Sequence, residues 1–244
     1  AAVCGQGIFD HLDRLDTIQR LFTVVNVLDV VEDEEDVFEV AFIETRCDLI
    51  RKKALEEIGF WFEGLYNSTE DQDISARIRQ RGYRLLQDKR LKFALDFGQT
   101  EDSLPKVIKK QYKYAHGQGY IFLKYGLGHH TMSGNQKNRR LRIAHRAIQI
   151  GLSGATLVLG AATLLGASAA GYLLVLLIAA RAAHYWWQAR PWLSGLERLY
   201  AAGLGIVCDL TYGLSFLGAV LTWPLREPSL LRPARSAPAG RVSE

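Results

Sequence analysis

The chain has 244 residues, 48% of them hydrophobic, with 30 Lys and Arg against 26 Asp and Glu for a formal charge of +4. That length is enough for one or two domains with a real core. The small positive excess comes without any nucleic-acid-binding motif and gathers beside apolar segments, which argues against a nucleic-acid partner. The three cysteines, Cys4, Cys47 and Cys208, are far apart and form no CxxC or other metal-ligand spacing, so neither a disulfide scaffold nor a cysteine metal site is expected.

Residue 1 is Ala and the single methionine is Met132. "AAVCGQGIFD" has neither a basic n-region nor an apolar h-region and is not a signal peptide. Residues 10–31 read as a helix, with Leu12, Leu15, Ile18, Leu21 and Phe22 at helical spacing. "EDEED" (32–36) is an acidic loop, and "VFEVAFIE" (37–44) a strand. "LIRKKALEEIG" (49–59) is a short helix with Gly59 in the place of a left-handed cap. An aromatic loop, "FWFEGLYN", leads to a helix at 71–81 closed by Gly82. "YRLLQD" and "RLKFALDF" read as two short strands. Residues 105–125 form a basic, aromatic helix with Pro105 in its first turn, and Gly117 and Gly119 predict a break in its middle.

The second half is different. No charged residue occurs from Ile150 to Ala180, longer than the roughly 20 residues that span a bilayer. "GASAAG" (166–171) offers a turn, so two helices are expected, about 146–165 and 171–188. "HYWWQARPWL" has the aromatic character of a bilayer interface, and a third apolar helix is expected over about 199–223, interrupted by Asp209 alone. The tail 226–244 is rich in Pro, Arg and Ser and reads as disordered. Arginines before the first apolar helix, between the second and third, and after the third all favour the cytoplasmic side. Three crossings would put the tail outside. Either the tail breaks the rule or one apolar segment is re-entrant.

Glu70, Asp71 and Asp73 crowd one helical turn in "NSTEDQDISARIRQRGYRLL" (67–86). A structural reading is available: Thr69 followed by Gln72 has the spacing of a capping box, and carboxylates in a first turn meet the positive end of the helix dipole. A chemical reading is available too, since a carboxylate at a helix start can reach into a cleft and accept a proton. His129-His130 lacks a partner carboxylate and reads as loop, while Asp209 inside an apolar run is a candidate functional residue.

Taken together, "RKKALEEIGFWFEG", "TEDQDISARIRQRGYRL", "KKQYKYAHGQG" and the apolar helices after them resemble the acceptor-side half of a family 2 glycosyltransferase, of the membrane-anchored kind that builds polysaccharides, succinoglycan-synthesis enzymes included. The resemblance covers about residues 40–125. It implies an inverting enzyme with a partial GT-A-like α/β domain over 1–136, transmembrane helices within 137–225 and a disordered tail. It assigns Asp71 of Thr69-Glu70-Asp71 as the general base, and puts Glu70, Asp73, Gln111, Lys113, Tyr114 and Arg51 on the acceptor side. Gln111-Tyr112-Lys113-Tyr114 departs from the family's Gln-x-x-Arg-Trp by one residue of spacing and by Lys-Tyr for Arg-Trp, which puts processive synthesis in doubt. The resemblance further implies a nucleotide-sugar donor, a lipid-linked or glycan acceptor, a cell-membrane location with the α/β part cytoplasmic, and Mg²⁺ or Mn²⁺ in the complete enzyme. No nucleotide-binding strand or metal-binding Asp-x-Asp is read in the sequence, so the chain is expected to be the C-terminal part of a longer enzyme, inactive alone. The alternative is a non-catalytic membrane scaffold or assembly subunit that keeps the acceptor-side fold.

Overall fold

The computed structural model of the protein describes residues 2–8, 16–26, 36–43, 48–60, 69–94, 102–126 and 139–226. The acidic loop up to residue 35, the aromatic loop with Glu63, His129-His130, Lys137 and the tail after 226 lie outside the described residues.

The N-terminal part is a four-stranded mixed sheet with helices. The strands are β1 (Ala2–Ile8), β2 (Val37–Glu39), β3 (Asp48–Ile50) and β4 (Leu85–Ala94), in the order β2-β4-β1-β3. β1 and β4 run parallel at the centre, and the short β2 and β3 flank them antiparallel. β1 is unannounced in the sequence because Gly5 and Gly7 interrupt its alternation. The two strands expected at 83–88 and 90–97 are, over the described residues, the single strand β4, whose pairing with β1 shifts register between Gln87 and Lys92. The strand expected at 37–44 stops at Glu39; the Val40 N–H still donates to the Leu85 carbonyl of β4 at 3.0 Å, and the chain then leaves the sheet, the Ile43 N–H donating to Ser75 Oγ, with Val40, Phe42 and Ile43 buried.

Three helices belong to this part. α1 (Thr17–Asn26) lies within the expected 10–31 helix. α2 (Lys52–Ile58) is held on its wet side by Lys52–Glu56 and Lys53–Glu57 pairs at i,i+4. It ends at Gly59, whose φ of 74° lets its N–H reach back to the carbonyls of Leu55 and Glu56. α3 (Glu70–Gln80) buries Ile74 and Ile78 against Ala2, Cys4, Val40, Ile43 and Leu85, the core beneath the sheet.

The C-terminal part is helical. α4 (Leu104–Tyr125) is unbroken through Gly117 and Gly119, contrary to the predicted interruption. Gly119 is used for close packing: Ala219 and the backbone of Phe216 occupy the space its side chain would take. α5 (Arg139–Leu164) and α6 (Ser168–Gln188) form a hairpin that turns at Gly166, where φ is 93°. α7 (Gly195–Arg226) packs against α4, α5, α6 and α1, and its contact with α4 is the most extensive between any two helices. α5, α6 and α7 are each long and apolar enough to cross a membrane. Little of the apolar stretches of α5 and α6 is buried within the protein, 17% of each, whereas half of α7's is.

Candidate functional site

The acidic motif opens α3. The capping box expected of Thr69 and Gln72 does not form, and the Thr69 side chain makes no cap bond. The Thr69 carbonyl accepts the N–H groups of Gln72 and Asp73, and the carboxylate of Asp71 accepts the Gln72 N–H at 2.8 Å. The Gln72 side chain is drawn away by a long-range partner. It is buried, and its Oε1 accepts a hydrogen bond of 2.7 Å from Gln118 Nε2 on α4.

Three acidic residues in one turn have two different surroundings. Asp73 is fully buried. Its carboxylate pairs with Arg77 one turn on, at 2.8 Å, and with Lys124 Nζ of α4 at 3.0 Å, and it accepts the Tyr125 hydroxyl at 2.5 Å. A carboxylate out of water needs such donors, and two cations with a phenol supply them. Burial, followed by the adjacent Asp73 charge, pushes the Tyr125 hydroxyl well above the usual phenol range, so it stays a donor at any working pH. Lys124 also lies over the Tyr120 ring and donates to its hydroxyl. Glu70 and Asp71 are only half-buried. The motif thus divides into a buried anchor, Asp73, and a part that reaches the surface, Glu70 and Asp71.

The other sequence-assigned residues fall apart in space. Gln111, Lys113 and Tyr114 share α4 with the anchoring Gln118, Lys124 and Tyr125, but lie one to four turns earlier along it. Gln111 is buried, Lys113 is exposed, and the Tyr114 ring sits under Lys110. Arg51 precedes α2 and is exposed. Its charge is felt at Tyr83, beyond the far end of α3, where the Tyr83 hydroxyl is pushed up foremost by its hydrogen bond to Glu57 and pulled back by Arg51 and Arg81. The eleven residues of α3, about 16 Å of helix, separate Tyr83 from the acidic turn.

The Asp71-Gln72-Asp73 spacing does not make a cation site. Asp73 has its oxygens turned to Arg77, Lys124 and Tyr125, which leaves no paired carboxylates for Mg²⁺ or Mn²⁺. Among the described residues no three His, Cys, Asp or Glu side chains are grouped to hold a metal ion.

Sequence reasoning missed Gln118, Lys124 and Tyr125 as partners of the acidic turn. They lie 46 to 52 residues from it, and no local spacing links them. It also singled out Asp209 without its counterpart. Asp209 is fully buried on α7 and is met by Arg181 Nε at 2.6 Å, the Tyr185 hydroxyl at 2.7 Å and Gln149 Nε2 at 2.8 Å. A signal existed, because Arg181 ends the charge-free run and Asp209 is the lone acid in the next one.

No family model, curated protein or solved structure matches this chain.

Proposed function

We propose that the chain is the acceptor-side part of a membrane-bound, inverting family 2 glycosyltransferase, with Asp71 as general base. The observation that carries this reading is the division of the acidic turn. Asp73 is spent on holding α3 to α4, and Asp71 stands two residues before it at the helix start with its carboxylate partly open to solvent.

In the proposed reaction an acceptor hydroxyl attacks the anomeric carbon of a nucleotide-sugar. The new carbon–oxygen bond forms as the bond to the nucleoside diphosphate breaks and leaves with its electron pair. The hydroxyl proton passes to the Asp71 carboxylate, which requires hydrogen-bond reach and a fixed orientation. Glu70 positions the acceptor. Asp73, in this reading, orients the turn and does not touch sugar. Lys113 and Tyr114 offer a cation for phosphate and a ring for sugar on the same helix that anchors α3. Donor binding falls to residues that this sequence does not contain. The apolar helices keep the site beside a lipid-linked or glycan acceptor at the cell membrane, with the α/β part in the cytoplasm.

The Asp73 anchor equally suits a non-catalytic membrane scaffold, since it fastens the sheet to the helices without any chemistry. Sugar transfer from labelled nucleotide-sugars in membranes separates the two readings. The chain carrying its upstream coding region is compared with the same protein bearing Asp71→Asn. Transfer that the substitution abolishes supports the enzyme. Transfer that survives it removes Asp71 as base, and absence of transfer across donors favours the scaffold.

A further inference from the structure

We propose that α7 is not a membrane crossing: it lies along the bilayer surface with an apolar stripe in the lipid interface, and the α5–α6 hairpin alone penetrates the bilayer. This goes beyond the glycosyltransferase reading and does not depend on it.

α1 falls between β1 and β2 of one sheet, and neither connecting stretch, 9–16 or 27–36, is an apolar run long enough to cross a membrane. α1 and the sheet are therefore on the same side of any bilayer. Each is fastened to a different end of α7. α1 is held at the N-terminal end, where Arg20 pairs with Glu197 and where Leu21 and Phe22 share a core with Ala201, Ala202 and Leu204. The sheet is held at the other end through α3 and α4. Asp73 meets Lys124 and Tyr125, while Gly119 packs on Ala219 and Tyr120 on Trp223.

The span between these attachments decides the matter. Glu197 and Ala219 are 22 residues apart in one helix, about 33 Å, as much as the whole hydrocarbon core at about 30 Å. A crossing α7 would set α1 and α3 on opposite faces of the membrane. Otherwise it would draw α4 into the core with Lys109 and Lys113 on its exposed side, at roughly 2.5–3.5 kcal/mol for each lysine at mid-bilayer.

The side of α7 left open fits a lipid surface. Leu196, Leu199, Tyr200, Leu214, Leu221 and Leu225 are exposed along it, at helical spacing and without a charge. The occupant is the boundary between headgroups and acyl chains, because α7 packs against the hairpin, whose tip residues Leu164 and Leu165 are 90% and 89% exposed. The ionic cluster agrees in depth. Gln149 and Arg181 bracket the charge-free run, so Asp209 meets them at the mouth of the hairpin and not at its tip. With α7 on the surface, Arg190, Arg198 and Arg226 share one side, and the conflict among the basic flanks disappears.

Cysteines placed at Trp192, between α6 and α7, and at Arg226, the exposed last residue of α7, test the proposal. The full chain is used, with Cys4, Cys47 and Cys208 replaced by Ala, in sealed right-side-out and inside-out vesicles of the expression host. An impermeant maleimide is expected to label both positions from the same face. Labelling from opposite faces overturns the proposal. A protease-sensitive tag after Glu244, read against one inserted at 190–194, gives the same comparison with every native cysteine in place. Depth is read in phosphatidylcholine–phosphatidylglycerol vesicles from a polarity-sensitive dye on Leu214→Cys, quenched by lipids spin-labelled near the headgroup or near the chain end. Stronger quenching by the shallow label is expected. Stronger quenching by the deep label, or none by either, overturns it.

Discussion

Gly119 of α4 lies so close to Ala219 of α7 that a β-carbon on the glycine would stand 2.5 Å from that of the alanine, with the Phe216 carbonyl oxygen 3.2 Å away. No flexible side chain is available to yield there. Gly119→Ala should separate the helices and lower stability by about 1–3 kcal/mol. Thermal unfolding in detergent measures this, and adding Ala219→Gly should restore part of the loss. An unchanged midpoint for the single variant would mean that the two helices are further apart than described.

Asp73 is the joint between the sheet and the helices. Asp73→Asn leaves Lys124 and Arg77 without their counter-ion. Because both cations keep some exposure, the expected cost is about 2–4 kcal/mol, below that of a fully buried pair. Tyr125→Phe removes one hydrogen bond and should cost about 1–2 kcal/mol. Limited proteolysis should find the α3–α4 connection cut sooner in Asp73→Asn than in the parent protein. Equal cleavage rates would show that the joint carries little of the stability.

Thr69 tests the cap. An N-cap threonine that bonds the helix normally loses about 1 kcal/mol on change to alanine. The Thr69 hydroxyl is buried and has no hydrogen-bond partner among the described residues. Thr69→Ala should therefore cost less than about 0.5 kcal/mol, and removing an unsatisfied hydroxyl can even stabilise. A full-sized loss on chemical unfolding would restore the capping box.

Much of this was legible in the sequence, and the remainder was not, for one recurring reason. Gly59 and Gly82 could be read as helix stops because left-handed backbone is a local requirement, and both adopt it. The charge-free run is a local property as well, and the helices α5 and α6 lie over it. What failed were inferences in which a distant partner outbids the local one. Gln72 belongs by spacing to Thr69 and in the fold to Gln118. Gly117 and Gly119 weaken an isolated helix, but α7 needs the lack of a side chain at Gly119. β1 acquires its place from pairing with β4, more than 75 residues on, and not from any alternation of its own.

Asp48 gives the protein a pH dependence with a definite sign. It begins β3 opposite Cys4, and burial pushes its carboxyl up to about 6, above an unfolded value of about 4. The folded state therefore holds this proton more tightly than the unfolded one. Stability contributed by Asp48 is present below about pH 4, falls as pH rises toward 6 and stays lost above it. Asp48→Asn should be more stable than the parent at pH 7 by about 1–2 kcal/mol, after allowance for solvent screening, and the gap should close toward pH 4. Unfolding measured across that range would show a constant difference if Asp48 were solvated in the folded protein.

The pair Arg181–Asp209 has a consequence for how the protein is made. The two residues are 28 positions apart, so Arg181 leaves the ribosome before Asp209 does. At roughly 5–20 residues per second of synthesis, the nascent hairpin waits about 1–6 s for its counter-ion. During that interval Arg181 has Tyr185 of its own helix beside it and lacks the Asp209 carboxylate. If the hairpin enters the bilayer as proposed above, emergence of α7 would complete the neutralisation and fix the depth of insertion. Ribosome-bound chains arrested before and after Asp209 emerges would differ in their extraction by alkaline carbonate, and equal extraction would show that the hairpin settles without waiting.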